Sequence, residues 1–333
     1  MKPAICHLAA SVLLLMLTSC EYKELCYDHH HSPGHTARLE LDLKMDLDLE
    51  LDLDLEVEVE VETHTRIEEP EYMKVCWYAP AEGNLQNTEF VGGTGGPLYT
   101  PPGVYDMVAY SFGTEYVQIR GEGDINTLEA FTSDITATKA SSLAKFTRAG
   151  DEQSQQPIIY TPDHLLVAHE QVTIPSAAAG DSVITIKAVA ATIVETYIFE
   201  VTSVVGAEYI ESVEAFVTNQ TRSSFFGRGE VSQSPATLSF PVGVDRAGNR
   251  LITAFNTFGK LPGESESYLH ILIRDTGGKE YKISEDITDQ FEKPDHHIII
   301  DAPLDIPRPE TSGGGIAPSV DPWQEEINDV PIG

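Results

Sequence analysis

From Leu39 to Glu62 the chain reads LELDLKMDLDLELDLDLEVEVEVE, apolar and charged residues in alternation, with Lys44 the one change of sign. Period two is the signature of a strand with one apolar and one polar face. A helix is disfavoured, because that period spreads leucines and carboxylates around the whole cylinder. As a single strand the run would extend about 80 Å at ~3.3 Å per residue, against ~17–20 Å for ordinary strands. Carboxylates two residues apart on one face stand about 6.6–7 Å from each other, inside a Debye length of ~8 Å. Their repulsion keeps a free chain extended. The pattern therefore predicts a solvated acidic tether for most of the run, with Val57–Glu62 the part best suited to add to a sheet edge.

Beyond the run the pattern is of short strands. MKVCWYAP places Met73, Val75 and Trp77 on one face. GGPLYTPPGVYDMVAYSFG and EYVQIRGEG add strands separated by Gly and Pro corners, the punctuation of an antiparallel β-sandwich. The rhythm lapses between Thr132 and Asp163, where a short helix is expected near Ser141–Phe146. A second strand-rich block follows, with RDTGGKEYKI as its clearest hairpin. No β-α-β rhythm appears, so an α/β enzyme fold is disfavoured. The expected organisation is a signal segment at 1–19, a linker at 20–70, an N-terminal β-sandwich at 71–165, a C-terminal β-sandwich at 166–308 and a tail at 309–333.

The N-terminus changes the picture of where the chain resides. Lys2 precedes the apolar stretch AASVLLLMLTSC, which is too short to span a bilayer and reads as a signal. It ends in Leu17-Thr18-Ser19-Cys20, which resembles a bacterial lipobox. Small residues before the cysteine fit a signal peptidase, and the Cys20 thiol accepts a diacylglycerol. The mature chain is then expected to be anchored to a membrane rather than spanning it. Of the four cysteines, Cys6 leaves with the signal and Cys20 carries lipid, so Cys26 and Cys76 remain. Outside the cytoplasm they are open to pairing as a disulfide or to standing as separate thiols. The formal net charge of −32 disfavours nucleic acid as a partner.

Candidate chemistry is sparse. His29, His30, His31 and His35 cluster in a linker with no scaffold to fix a metal's coordination. GGTGG at 92–96 precedes no helix and no lysine, so it reads as a hairpin turn rather than a phosphate loop. No nucleophile elbow or HExxH pair is present. No enzyme activity, metal or cofactor is expected.

CEYKELCYDHHHSPGHTAR, MKVCWYAP and GGPLYTPPGVYDMVAYSFGTEYVQIRG together resemble the fimbrillin-like lipoproteins of Bacteroidetes, specifically a domain family of unknown function in that group. The resemblance rests on Cys26-Tyr27-Asp28-His29 after the lipid site, on the corner Pro101-Pro102-Gly103-Val104-Tyr105, and on the tail VDPWQEEINDVPI. It implies two transthyretin-like β-sandwiches on a lipid anchor at the cell surface, and that the anchoring membrane is the outer membrane. It also implies a fimbria-related structural, anchor or adhesion subunit that joins other fimbrial subunits by β-strand addition. Polymerising relatives lose an N-terminal segment after Arg or Lys, and here Arg38 and Arg66 are the candidate positions. In relatives the first strand follows the Cys-Tyr-Asp-His segment almost directly, so the alternating run looks like an insertion at a domain edge. The alternative function is a surface module for glycans or host ligands, for which exposed Trp77 or the tyrosines between 99 and 116 would be the binding groups.

Overall fold

The computed structural model describes residues 37–45, 67–135, 137–147, 155–176, 183–263, 265–301 and 303–309. The lipobox, Cys26, Val57–Glu62, Arg66 and the tail beyond residue 309 lie outside them.

The described chain begins with β1 (Ala37–Leu43). Then come β2 (Tyr72–Tyr78), β3 (Leu85–Gly92), β4 (Gly95–Leu98), β5 (Gly103–Ser111), β6 (Val117–Arg120) and β7 (Glu129–Thr132). A helix α1 (Ala137–Leu143) and β8 (Ile158–Tyr160) lead to β9 (Leu166–Ile174) and β10 (Ile184–Thr192). The second half holds β11 (Glu195–Val201), β12 (Val204–Val205), β13 (Ile210–Thr221), β14 (Ser223–Phe225), β15 (Glu230–Val231) and β16 (Pro235–Pro241). It continues through β17 (Gly243–Asp245), β18 (Arg250–Thr257), β19 (Tyr268–Asp275), β20 (Glu280–Asp286), β21 (His297–Ile300) and β22 (Leu304–Asp305).

The fold is all-β in character, as expected, but its first half is not an open antiparallel sandwich. Seven strands close a barrel in the order β1-β10-β9-β5-β2-β3-β4. The physical reason is β1. It lies antiparallel to β4 and parallel to β10, so it joins two strands that would otherwise be sheet edges and removes both edges. The strand pairing therefore runs across the boundary expected at residues 165 and 166: β9 and β10 belong to the barrel. Met73, Val75 and Trp77 face its interior with Leu98, Met107 and Ile186. Cys76 and Tyr78, on the opposite face of β2, are buried as well. Over them lies a second cluster with Tyr110, Leu128 and Phe226, beneath a small sheet ordered β15-β14-β7-β6.

The second half is a two-layer sandwich. A sheet β20-β19-β13-β16-β8 faces a sheet β17-β18-β11-β21 across a core that includes Phe199, Leu238, Phe255, Ile271 and Ile298. Both sheets are mixed, since β11 runs parallel to β21 and β16 parallel to β8. The hairpin expected at RDTGGKEYKI is present and extends over 268–286, its turn closed by Asp275 Oδ1 accepting from Gly277 N at 2.8 Å and Lys279 N at 2.9 Å.

The two halves share strands. β7 from the first half pairs with β14 from the second, and β8 joins the second-half sheet. Arg120 on β6 holds the Glu129 carboxylate with two N–H groups, at 2.6 and 2.9 Å, and Ser223 Oγ donates to the same carboxylate at 2.5 Å.

Candidate functional site: the strand slot between β4 and β10

The start of the alternating run is built into the fold. Along β1 burial alternates with sequence: Ala37, Leu39 and Leu41 are buried and Arg38, Glu40 and Asp42 exposed. Leu39 is 1% exposed and sits in the barrel core. The first residues of the run are therefore strand, while the part for which a tether is expected lies mostly outside the described residues. Five residues of the run, Leu39–Leu43, form a paired strand together with Ala37 and Arg38 before them; Val57–Glu62 lies outside the described residues. The core needs an apolar row from a strand of ordinary length, and Ala37–Leu43 supplies it.

The slot is narrow because of glycine. Gly95 opens β4 at φ +112, and a Cβ there would stand 2.1 Å from the Leu39 carbonyl oxygen. A hydrogen bond from Leu41 N to Thr94 O at 3.0 Å and one from Lys44 N to Ala190 O at 2.9 Å carry the pairing beyond the ladder. On the outer face Glu40 lies opposite Lys187 of β10, and Arg38 opposite Thr185. The Gly92–Gly96 stretch is a hairpin turn, as read from the sequence, and it is also one wall of the slot. That second role had a signal in the glycine spacing but no visible partner.

The remaining candidates fall elsewhere. Arg38 is exposed, but its backbone is paired on both sides, so cleavage after it would cut inside a strand. Cys76 is buried with Sγ 4.0 Å from Thr88 Oγ1. Burial pushes its thiol pKa up, which disfavours the thiolate. Trp77 is 0% exposed; its indole N–H donates to Glu89 Oε1 at 3.1 Å and its ring meets Tyr105 edge-on at 5.5 Å. Tyr110 is buried too, whereas Tyr99 is exposed. Trp77 thus serves the barrel core, not a binding face. Glu122 joins Lys74 and the Tyr110 hydroxyl. Burial pushes the Glu122 carboxyl up, but those two partners outweigh it and hold the pKa below the usual range.

His164 lies at the junction of the halves. Its Nδ1 is 2.9 Å from Thr192 Oγ1 and its Nε2 3.3 Å from Thr196 Oγ1. Thr196 donates to Asn256 Oδ1 at 2.8 Å, and Asn256 Nδ2 donates to the Pro162 carbonyl at 2.9 Å. The network ties β10, β11 and β18 together and is structural. Among the described residues no three His, Cys, Asp or Glu side chains converge on a metal-sized site. His29, His30, His31 and His35 lie outside those residues.

A Bacteroides ovatus protein provisionally named fimbrium anchoring subunit Fim4B is 24% identical over 304 residues, covering 79% of this chain and 85% of its own. The crystal structure of a provisionally assigned adhesin from the same species matches with a TM-score of 0.55 and 20% identity, over 83% of this chain and 93% of its own. That likeness extends the all-β fold to a solved relative. The fimbrial anchor protein Mfa2 of Porphyromonas gingivalis, at 15% identity over 81% of this chain and 90% of its own, has a TM-score of 0.46 and is too distant to bear on the fold. The resemblance to a family of unknown function in the fimbrillin group holds. With residues 19–241 matched by its family profile, the chain belongs to the family described as domain of unknown function DUF5119.

Proposed function

We infer that the protein is a cell-surface lipoprotein that anchors a fimbria or related adhesive structure, with lipid at Cys20 of the lipobox Leu17-Thr18-Ser19-Cys20. The observation that carries this reading is the position of β1. The strand that begins at Ala37, only 17 residues after Cys20, closes the barrel. A lipid upstream would therefore hold the folded body by a strand in its core. The naming of the Bacteroides ovatus relative supports the same role. Retention of β1 suits an anchor that keeps its N-terminal segment. Processing after Arg66 would instead separate β1 from β2.

The location is the outer membrane, the sandwich of the second half is transthyretin-like, and the role is structural rather than enzymatic. Fimbrial partners join by strand addition, for which β20 and β21, at the ends of their sheets, supply candidate edges. Intact-mass analysis of the mature N-terminus from cells tests the reading, together with microscopy of a deletion strain. A chain starting at lipidated Cys20 and filaments shed on deletion are expected. A mature chain that begins after Arg38 or Arg66, or filaments unaffected by deletion, would sink it.

A further inference from the structure

β1 occupies its slot through features that do not identify individual residues. The tight contact of the slot is backbone to backbone, Gly95 against the Leu39 carbonyl, and any residue supplies a carbonyl. The interior takes alternate apolar side chains. The exterior sets Lys187 opposite an acidic residue, Glu40. The alternation that satisfies these three conditions does not stop with the strand. It continues in the sequence without a break in apolar spacing from Met45 to Val61, with an acid at every even position from Asp46 to Glu62.

We propose that the slot between β4 and β10 is a binding site for a period-two apolar and acidic strand of no single register, and that its further occupants are later frames of this chain's own run. A shift of two residues keeps every apolar residue inward and places Asp42 opposite Lys187. A shift of four sets Lys44 against Lys187 and is disfavoured by like charge. A shift of six puts Asp46 there, and Leu43, Met45, Leu47 and Leu49 fill the interior. Odd shifts turn the whole apolar row to solvent and are excluded. Ala37, the one small inward residue of the strand, and Arg38, the one basic outward residue before Lys44, mark the observed register as the ground state. Each two-residue step moves about 6.6–7 Å of chain from the connection after β1 to the segment before it. The run is thus a reserve of replacement strands that lets the segment before the barrel lengthen while the barrel stays closed.

Disulfide trapping in the full chain tests this, with linked peptides identified by mass spectrometry so that native cysteines are distinguished. Arg38→Cys with Thr185→Cys reports the observed register and shows that the slot is filled. Lys44→Cys with Thr185→Cys reports the shift of six. In the observed register those two positions are roughly 20 Å apart along the strand, beyond disulfide reach. Met45→Cys with Thr185→Cys is the odd-shift control. Equilibration in a glutathione buffer is expected to link Lys44→Cys to Thr185→Cys within one molecule at about a tenth of the first pair's yield, the upper end of a populated minor state, and to leave the odd pair unlinked. The proposal is overturned if the first pair links and the second does not. Equal linking of the odd pair, which indicates fraying, also overturns it, as does linking found only between molecules, which would make a second copy the occupant.

Discussion

Gly95 and Leu39 meet backbone to backbone: a Cβ on Gly95 would lie 2.1 Å from the Leu39 carbonyl oxygen. The contact lets β1 lie between β4 and β10, and so lets the barrel close. Gly95→Ala adds both a clash and a positive-φ penalty. It is expected to cost at least about 2 kcal/mol in urea unfolding, near the upper range for backbone strain at one residue. Gly113→Ala is the control, since Gly113 also has a positive φ, of +88, but nothing within 4 Å of the added Cβ. Its cost is expected at about 1 kcal/mol. Equal losses for the two would show that the slot contact contributes nothing.

Leu39 tests whether β1 is part of the cooperative unit. Its side chain is 1% exposed in the barrel core. A buried leucine with no substitute would lose about 2–5 kcal/mol on Leu39→Ala, but a shift of six that brings Met45 into its place limits the expected loss to about 1.4 kcal/mol, the free energy of a tenfold population ratio. Glu40→Ala, on the exposed face of the same strand, should change stability by less than about 0.5 kcal/mol. A thermal transition unmoved by Leu39→Ala would return β1 to the status of a tether.

Glu129 tests the joint between the halves. It is buried and receives hydrogen bonds from Arg120 and Ser223. Burial pushes its carboxyl pKa up, but Arg120 and Ser223 outweigh that and hold it below the usual range. Glu129→Ala is expected to cost about 2 kcal/mol by stranding the Ser223 hydroxyl and the pairing β6, β7 and β14 share. Arg120→Ala should cost about 1 kcal/mol or less, because the arginine is largely exposed. A double-mutant cycle with Ser223→Ala that shows no coupling energy would contradict the arrangement.

His270 sets a pH dependence. It is buried beneath Phe146, whose ring stacks at 5.0 Å, and beside Tyr268; Ser284 Oγ lies 2.8 Å from Nδ1. Burial lowers its pKa from 6.5 to about 4. The unfolded chain therefore binds a proton at a higher pH than the folded one, and stability falls as pH falls from 6.5 to about 4. The full effect is on the order of 3 kcal/mol. His270→Gln should flatten that part of the profile, measured as the difference in unfolding free energy between pH 7 and pH 4.5. Carboxylates such as Glu280 and Asp286, with pKa values lowered by their partners, act at lower pH and remain in both proteins. An unchanged slope in the variant would show that His270 is not the responsible group.

Much of the fold was legible because its signals are local. The Gly-Gly turn between β19 and β20, the alternation in MKVCWYAP and the missing β-α-β rhythm each depend on residues within a few positions of one another. The second apolar face of β2 was not legible. Cys76 and Tyr78 are buried in a cluster that includes Phe226, which arrives about 150 residues later and on a different half of the molecule. The strand slot was half legible. GGTGG announced a turn, yet its use as a wall for β1 depends on a backbone approach that no neighbouring residue encodes.

The sequence by itself determined that Leu39–Glu62 could be only a strand with one apolar face or an unpaired chain, because period two admits no amphipathic helix. It also determined that an 80 Å strand would find no partner of that length. Only the tertiary structure decided which residues of the run pair: Leu39–Leu43, with Ala37 and Arg38 before them. β10 lies some 145 positions beyond β1 in the chain, and the pairing exists because the barrel sheet has one gap of strand width between β4 and β10. A repeat contains many strands of equivalent pattern, and the structure pairs the one that starts at Ala37 with β4 and β10.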